Sequence, residues 1–295
     1  MRYSIYLFLV FNILILLEGC SDNKTKNHQL QNNYIQVDDD LGRTVSINLH
    51  NQRIVSLTPS ITELLYAFTD TTHIVGRSIT CDYPEEVQLK PAVNNYPVDI
   101  EAIVRLKPDL VLVKMGMIPM ADLEKLRKLT IPVFVQKYDR LDEIEHSVRT
   151  LVHITHGDSV KMNNWLNELN QKSLNRKHIS QTFIAIASAT PIYTFGQKTF
   201  VSELAESAGG KNVIDSNFNT AYPNVNVEYV LRSNPDIMIF ESIEQKKNFF
   251  TSYPVLENLS AYKNKKIYFI DVSLLSRPGS RLPVLKDSLE TIFNK

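Results

Sequence analysis

Polar and apolar positions follow two alternating periods along this chain. Residues 34–37 and 44–47 alternate in twos around Asp38-Asp39-Asp40-Leu41-Gly42-Arg43, which predicts a β-hairpin. Arg53–Leu57 is a short apolar strand. Pro59-Ser60 follows it, and Ile61, Leu64, Leu65 and Phe68 fall at helical spacing. Ser60 with Glu63 has the form of a capping box. His73–Gly76 opens another strand, and Cys81-Asp82-Tyr83-Pro84 reads as a loop after it. Asp99 caps a helix with an apolar stripe at Ile100, Ile103, Val104 and Leu106, ended by Lys107-Pro108-Asp109 because a residue before proline resists helical geometry. Strand Leu110–Val113, helix Ala121–Leu129, strand Ile131–Val135 and helix Leu141–His156, closed by Gly157, come next. Asp158 restarts a helix reaching about Arg176, and its apolar positions (Val160, Trp165, Leu166, Leu169) are sparse. A mostly polar helix suits a bridge between domains. Strand Thr182–Ala187, helix Phe200–Ser207 with Ala208-Gly209-Gly210 as its end, strand Ile267–Ile270 and helix Leu282–Phe293 complete the pattern. Alternating strands and helices predict an α/β fold with parallel sheets.

One phrase occurs twice. Asp99–Val113 and Asn226–Phe240 share Glu, Arg, Pro and Asp in register and keep the apolar pattern between them, each after a Tyr-Pro pair, Tyr96-Pro97 and Tyr222-Pro223. A supersecondary unit repeated in opposite halves predicts two lobes of similar build that face each other across a cleft. The expected organisation is an N-terminal α/β lobe over 34–156, an interlobe backbone helix over 157–178 and a C-terminal α/β lobe over 179–295. Both lobes are expected to be Rossmann-like.

The N-terminus narrows the compartment. Arg2, the apolar run Ile5–Leu17 and Leu17-Glu18-Gly19-Cys20 form a charged start, a short apolar core and a small residue, the pattern of a secretory signal over 1–19. The run is short for a transmembrane helix, which needs about 20 apolar residues. Leu-x-Gly-Cys resembles the bacterial lipoprotein signal, in which Cys20 carries lipid, with Glu18 standing where a small residue is usual. Residues 20–33 are polar and read as a flexible tether. Lys plus Arg number 32, as do Asp plus Glu, so the formal charge is zero. No basic block is present, which argues against nucleic acid as a partner. With Cys20 lipidated, Cys81 is the only other thiol.

Arg53–Leu64, Val75-Gly76, Cys81-Asp82-Tyr83-Pro84, the first repeat copy, Phe200–Val213 and Arg277-Pro278-Gly279 together resemble the helical-backbone (class III) substrate-binding proteins of ABC importers. The resemblance spans about Val37 to Phe293. Its closest subgroup resembles the periplasmic cobalamin-binding proteins, although tyrosine stands at 96 and 222 where those carry tryptophan. Haem and ferric-siderophore binders share the scaffold. The resemblance implies two α/β lobes joined by a long helix, a clamped macrocyclic ligand, and one surface glutamate per lobe docking on a permease dimer. Carried over by motif, the docking residues are Glu101 and Glu228, and the ligand-flanking aromatics are Tyr83, Tyr96 and Tyr222. The implied setting is a lipid-anchored protein on the extracytoplasmic face of the cell envelope, with a corrinoid, haem or ferric siderophore as ligand and no resident cofactor.

The residues themselves allow plainer roles. An acid in a first turn also favours the helix dipole, and tyrosine at a lobe rim also packs. Pro59 and Ser60 form a strand-to-helix turn whose amides suit an acceptor. Met115 and Glu241, with Lys114 and Ser242, stand at strand ends, where open α/β sheets bind ligands. His153 and His156 lack the partners of a metal site. Gly157-Asp158-Ser159 lies between helices and forms no nucleophile elbow. A metal-cluster enzyme needs several cysteines. The expectation is therefore a binding protein with no catalytic residues and no metal.

Overall fold

The computed structural model describes residues 33–50, 52–171 and 181–294. The described residues open with an antiparallel hairpin, β1 (Tyr34–Asp38) and β2 (Thr44–Asn48). Asp39 ties its turn together by accepting the backbone amides of Leu41 and Arg43, both at 3.0 Å. Val45 and Ile47 alternate inward from β2 and are buried.

Two parallel sheets follow. The first has the order β5-β4-β3-β6-β7, from β3 (Ile54–Ser56), β4 (Ile74–Ser78), β5 (Ala92–Val93), β6 (Leu110–Lys114) and β7 (Val133–Gln136). The second has the order β10-β8-β11-β12, from β8 (Gln181–Ser188), β10 (Gly210–Asn212), β11 (Ile237–Phe240) and β12 (Ile267–Phe269), with the short β9 (Tyr193–Thr194) antiparallel on β8. Strands β6 and β11 are buried at nearly every position, as a sheet covered on both faces requires.

Among the described residues the α-helices are α1 (Pro59–Phe68), α2 (Ile100–Arg105), α3 (Met120–Lys128), α4 (Leu141–Ile154), α5 (Ser159–Asn170), α6 (Phe200–Ser207), α7 (Val227–Ser233), α8 (Ile243–Ser252), α9 (Ser260–Lys263), α10 (Val272–Ser276) and α11 (Leu282–Phe293). One buried cluster runs from β2 and β3 through α1, α4 and α5 to β8, α6 and α11. Each sheet has a further cluster on its other face. A packed layer of helices therefore joins the lobes.

The helix expected from Asp158 to about Arg176 is shorter. It spans Ser159–Asn170, and Gln171 is extended; residues 172–180 lie outside the described residues. It is also no bare rod. Met162, Trp165, Leu166 and Leu169 form a buried stripe, while Val160, expected in that stripe, is exposed. Trp165 meets Phe68 of α1 edge-on at 5.8 Å and donates its indole N–H to the Ser280 carbonyl at 2.8 Å, so one side chain touches both halves.

The turn before it also differs in detail. His156, not Gly157, takes the left-handed conformation that ends α4 (φ 49°). The Gly157 amide bonds back to the Val152 carbonyl at 2.8 Å, completing a Schellman-type end. Gly157 is needed for proximity: a Cβ there would stand 2.7 Å from the Phe68 carbonyl oxygen.

The repeat is a structural repeat. In each copy a short helix ends on a residue with positive φ before proline, Lys107 (48°) and Asn234 (37°). The following aspartate then anchors the first strand of its own lobe. Asp109 accepts the Arg53 amide at 2.8 Å, before β3. Asp236 accepts the Thr182 amide at 2.9 Å and its hydroxyl at 2.7 Å, on β8. The strand that follows, β6 or β11, pairs in parallel with that same anchored strand.

Candidate functional site

Strand order reverses between β3 and β6 in the first sheet and between β8 and β11 in the second. Ligands of open α/β sheets bind outside the carboxyl ends of strands at such points. At the first, the Thr58 hydroxyl accepts the Lys114 amide at 2.9 Å, and the Lys114 ammonium pairs with Asp139 at 2.7 Å. Met115 is half-buried and lines an apolar cavity of about 240 Å³ with Leu41, Ile118 and Met120. At the second, Glu241 and Ser242 line a polar cavity of about 270 Å³ with Ser188 and Thr190. Burial, and then the charge of Asp271, push the Glu241 carboxyl above its ordinary range.

Pro59 and Ser60 lie buried at the start of α1. The capping box expected from Ser60 and Glu63 does not form. The N-cap is Thr58, whose side chain makes no capping bond, and Glu63 turns to a partner far away in sequence. Its carboxylate, 1% exposed, takes two bonds from Arg281 at 2.7 and 3.1 Å. Gly279 makes room for it, since a Cβ there would stand 2.5 Å from Glu63 Oε2. Burial raises the Glu63 carboxyl, and Arg281 draws it back down.

The three tyrosines are all exposed, Tyr83 at 42%, Tyr96 at 80% and Tyr222 at 36%. Tyr83 belongs to the first lobe, yet the Arg281 guanidinium of the second lobe lies 4.1 Å from its ring centroid. Its neighbour Asp82 pairs with Arg277, and that bond holds the Asp82 carboxyl below its ordinary range. Tyr222 packs edge-on against Phe195 at 5.5 Å. Burial, with the Asp139 charge of the opposite lobe, pushes its phenol up to about 12. Tyr96 projects furthest into solvent.

Sequence reasoning gave no site role to Asp82, Phe195, Arg277 or Arg281. The Arg277-Pro278-Gly279 motif was the available signal for the two arginines; nothing local marked Phe195.

Glu101 and Glu228 each occupy the first turn of a repeat helix and are exposed. The caps are matched as well: Asp99 accepts the Ala102 amide and Asn226 the Tyr229 amide, both at 2.8 Å. Glu101 has only a loose pairing with Arg105 at 3.9 Å. Val104, expected in the buried stripe of α2, is 41% exposed. A six-residue helix completes less than two turns, and here only Ile103 is fully covered. Cys20, the signal segment 1–19 and the tether up to residue 32 lie outside the described residues. Cys81 is buried, with Thr62 and Ser78 hydroxyls at 3.1 and 3.2 Å from its sulfur.

The sequence model of the family described as Periplasmic binding protein matches residues 54–274. The chain belongs to the periplasmic binding protein family. It is similar to the vitamin B12-binding protein of Vibrio vulnificus, 28% identical over 235 residues that cover 78% of this chain and 85% of the relative. It is also similar to an uncharacterized ABC transporter substrate-binding lipoprotein of Bacillus subtilis, 26% identical over 290 residues covering 91% and 90%. The crystal structure of the periplasmic vitamin B12 binding protein of Vibrio cholerae matches with a TM-score of 0.69 at 27% identity, covering 82% of this chain and 96% of that one. This periplasmic binding protein is thus a substrate-binding component of an ABC importer, working outside the cytoplasm with a permease partner and a small-molecule ligand. It is a transport scaffold and not an enzyme.

Proposed function

We propose that this protein captures cobalamin or a related corrinoid and delivers it to a permease dimer while anchored to the membrane through lipid on Cys20. The observation that carries the ligand assignment is the likeness to vitamin B12-binding proteins over most of both chains. The exposed aromatic faces of Tyr83, Tyr96 and Tyr222 support it, because a broad apolar ring with one hydroxyl suits a flat macrocycle. Affinity in this reading comes from apolar clasping, with few polar groups fixing orientation. Met115 and Glu241 contribute at the two switch points, and the Pro59-Ser60 turn forms the floor. Glu101 and Glu228 dock on the permease, where rim charges speed encounter and set orientation. Stable anchoring needs two lipid signals, so Cys20 carries more than one acyl chain.

The test is a spectroscopic titration of residues 33–295 with cyanocobalamin, cobinamide and hemin. Saturable binding of the corrinoids supports the reading, and saturable binding of hemin alone overturns it. For docking, the Glu101→Ala/Glu228→Ala double variant keeps ligand affinity and loses uptake; unchanged uptake removes that assignment.

A further inference from the structure

We propose that Arg281 is a positioning residue that fixes the Tyr83 ring for ligand stacking. Nothing local in the chain joins these two residues. One lies in the loop after β4, the other at the start of α11, in opposite lobes. The guanidinium plane has no freedom to turn. Its Nε and Nη2 donate to the two oxygens of Glu63, at 3.1 and 2.7 Å, and its Nη1 donates to the Ser273 hydroxyl at 3.0 Å. All three nitrogens are thus engaged, two on the first lobe and one on the second. The Glu63 carboxylate is itself immobile, 1% exposed and seated against Gly279. The Cζ of this fixed guanidinium stands over the Tyr83 ring, 4.1 Å from its centroid.

The backbone beside the ring is tied by a second cross-lobe pair, Asp82 with Arg277. Tyr83 is therefore held both through its neighbour and through its ring, while 42% of its surface stays free for a guest. A ring fixed before binding saves the ordering cost that a mobile tyrosine imposes on association. Arginine is required because one planar, forked cation must bind a carboxylate through two nitrogens while its centre stands over a ring. Lysine supplies the charge without the plane.

This inference rests on the reading of Tyr83 as a ligand-contacting residue, and its test separates the two. Arg281→Lys keeps a cation for Glu63, so the variant folds, and its thermal midpoint is recorded alongside. With cyanocobalamin as the probe, Arg281→Lys weakens binding by about three- to tenfold, the factor by which the competent ring orientation is diluted. On a Tyr83→Leu background, Arg281→Lys has no further effect, because the residue through which it acts is gone. An equal fold-change on both backgrounds overturns the proposal and makes Arg281 a strut alone.

A ligand-free readout decides the matter even if cyanocobalamin fails to bind the parent protein, an outcome that defeats the corrinoid reading by itself. In protein labelled with 3-fluorotyrosine, the fluorine resonance of Tyr83, assigned by its loss in Tyr83→Phe, shifts in Arg281→Lys. A Tyr83 resonance that does not move overturns the positioning role whatever the ligand.

Discussion

Replacing Arg281 by methionine strips the cation from Glu63 while keeping most of the side chain's volume. In the parent, two charge-assisted bonds at 2.7 and 3.1 Å serve a carboxylate with 1% exposure. Without Arg281 that buried carboxylate loses both of its charge-assisted bonds and keeps only the more distant charge of Arg277, a change that costs about 3–5 kcal/mol. Glu63 has one escape, which is to take up a proton. Burial already raises its pKa against the pull of Arg281, and in the variant that pull is gone, so the value rises further. A carboxyl whose folded pKa lies above its unfolded value of about 4.3 is no burden below that pH. Stability then falls as pH rises through the folded value, by up to about 1.4 kcal/mol per pH unit. The penalty of Arg281→Met is therefore smallest near pH 4 and reaches its full size around neutrality. Urea unfolding at about pH 4.5, 6 and 7.5, parent against variant, measures it. Adding Glu63→Gln to Arg281→Met removes the orphan charge and restores much of the loss at neutral pH. A penalty that is flat with pH, or below about 1 kcal/mol at neutrality as for a solvated surface pair, would refute the reasoning.

Gly279→Ala drives a Cβ to 2.5 Å from Glu63 Oε2 and disturbs the same pair by overpacking, at about 1–3 kcal/mol, read as a lowered thermal midpoint. Asp236→Ala removes two bonds to Thr182 and exceeds Asp109→Ala, which removes the bond to Arg53; with charged-group bonds worth about 1.5–3 kcal/mol each, urea unfolding separates the two. The Tyr222 phenol, pushed up to about 12, is the late component of an ultraviolet tyrosine titration and vanishes in Tyr222→Phe. Its raised pKa also means that stability is kept below pH 10 and lost as pH climbs toward 12, so the parent loses more than Tyr222→Phe in that window. The Asp82–Arg277 pair has the opposite sign: its depressed carboxyl holds it through neutral pH, and it is lost only as pH falls below 3.8, an effect absent in Asp82→Asn.

The chain's local pattern carried the alternation of strand and helix, the hairpin, the twin repeat and two of the caps. Asp99 and Asp158 both cap the helices they precede. Such features are legible because they depend on residues two to four apart, and because burial on both sheet faces demands continuous apolar runs. The family's motifs were legible for the same reason, being short and in order. Tertiary structure decided the remainder. Glu63 looked like half of a capping box and is instead the buried anchor of an arginine 218 positions away. Val104 fits an apolar stripe by spacing, yet α2 is too short to cover it. Gly157 was read as closing α4, yet His156 takes the left-handed position there, and Gly157 instead lets the α4–α5 turn press against α1. The Tyr83 ring gained its cation only when the two lobes met. Local geometry is set by neighbours in sequence, whereas the partners of a buried charge or an exposed ring are chosen by which surfaces the packed layers bring together, and no periodicity encodes that.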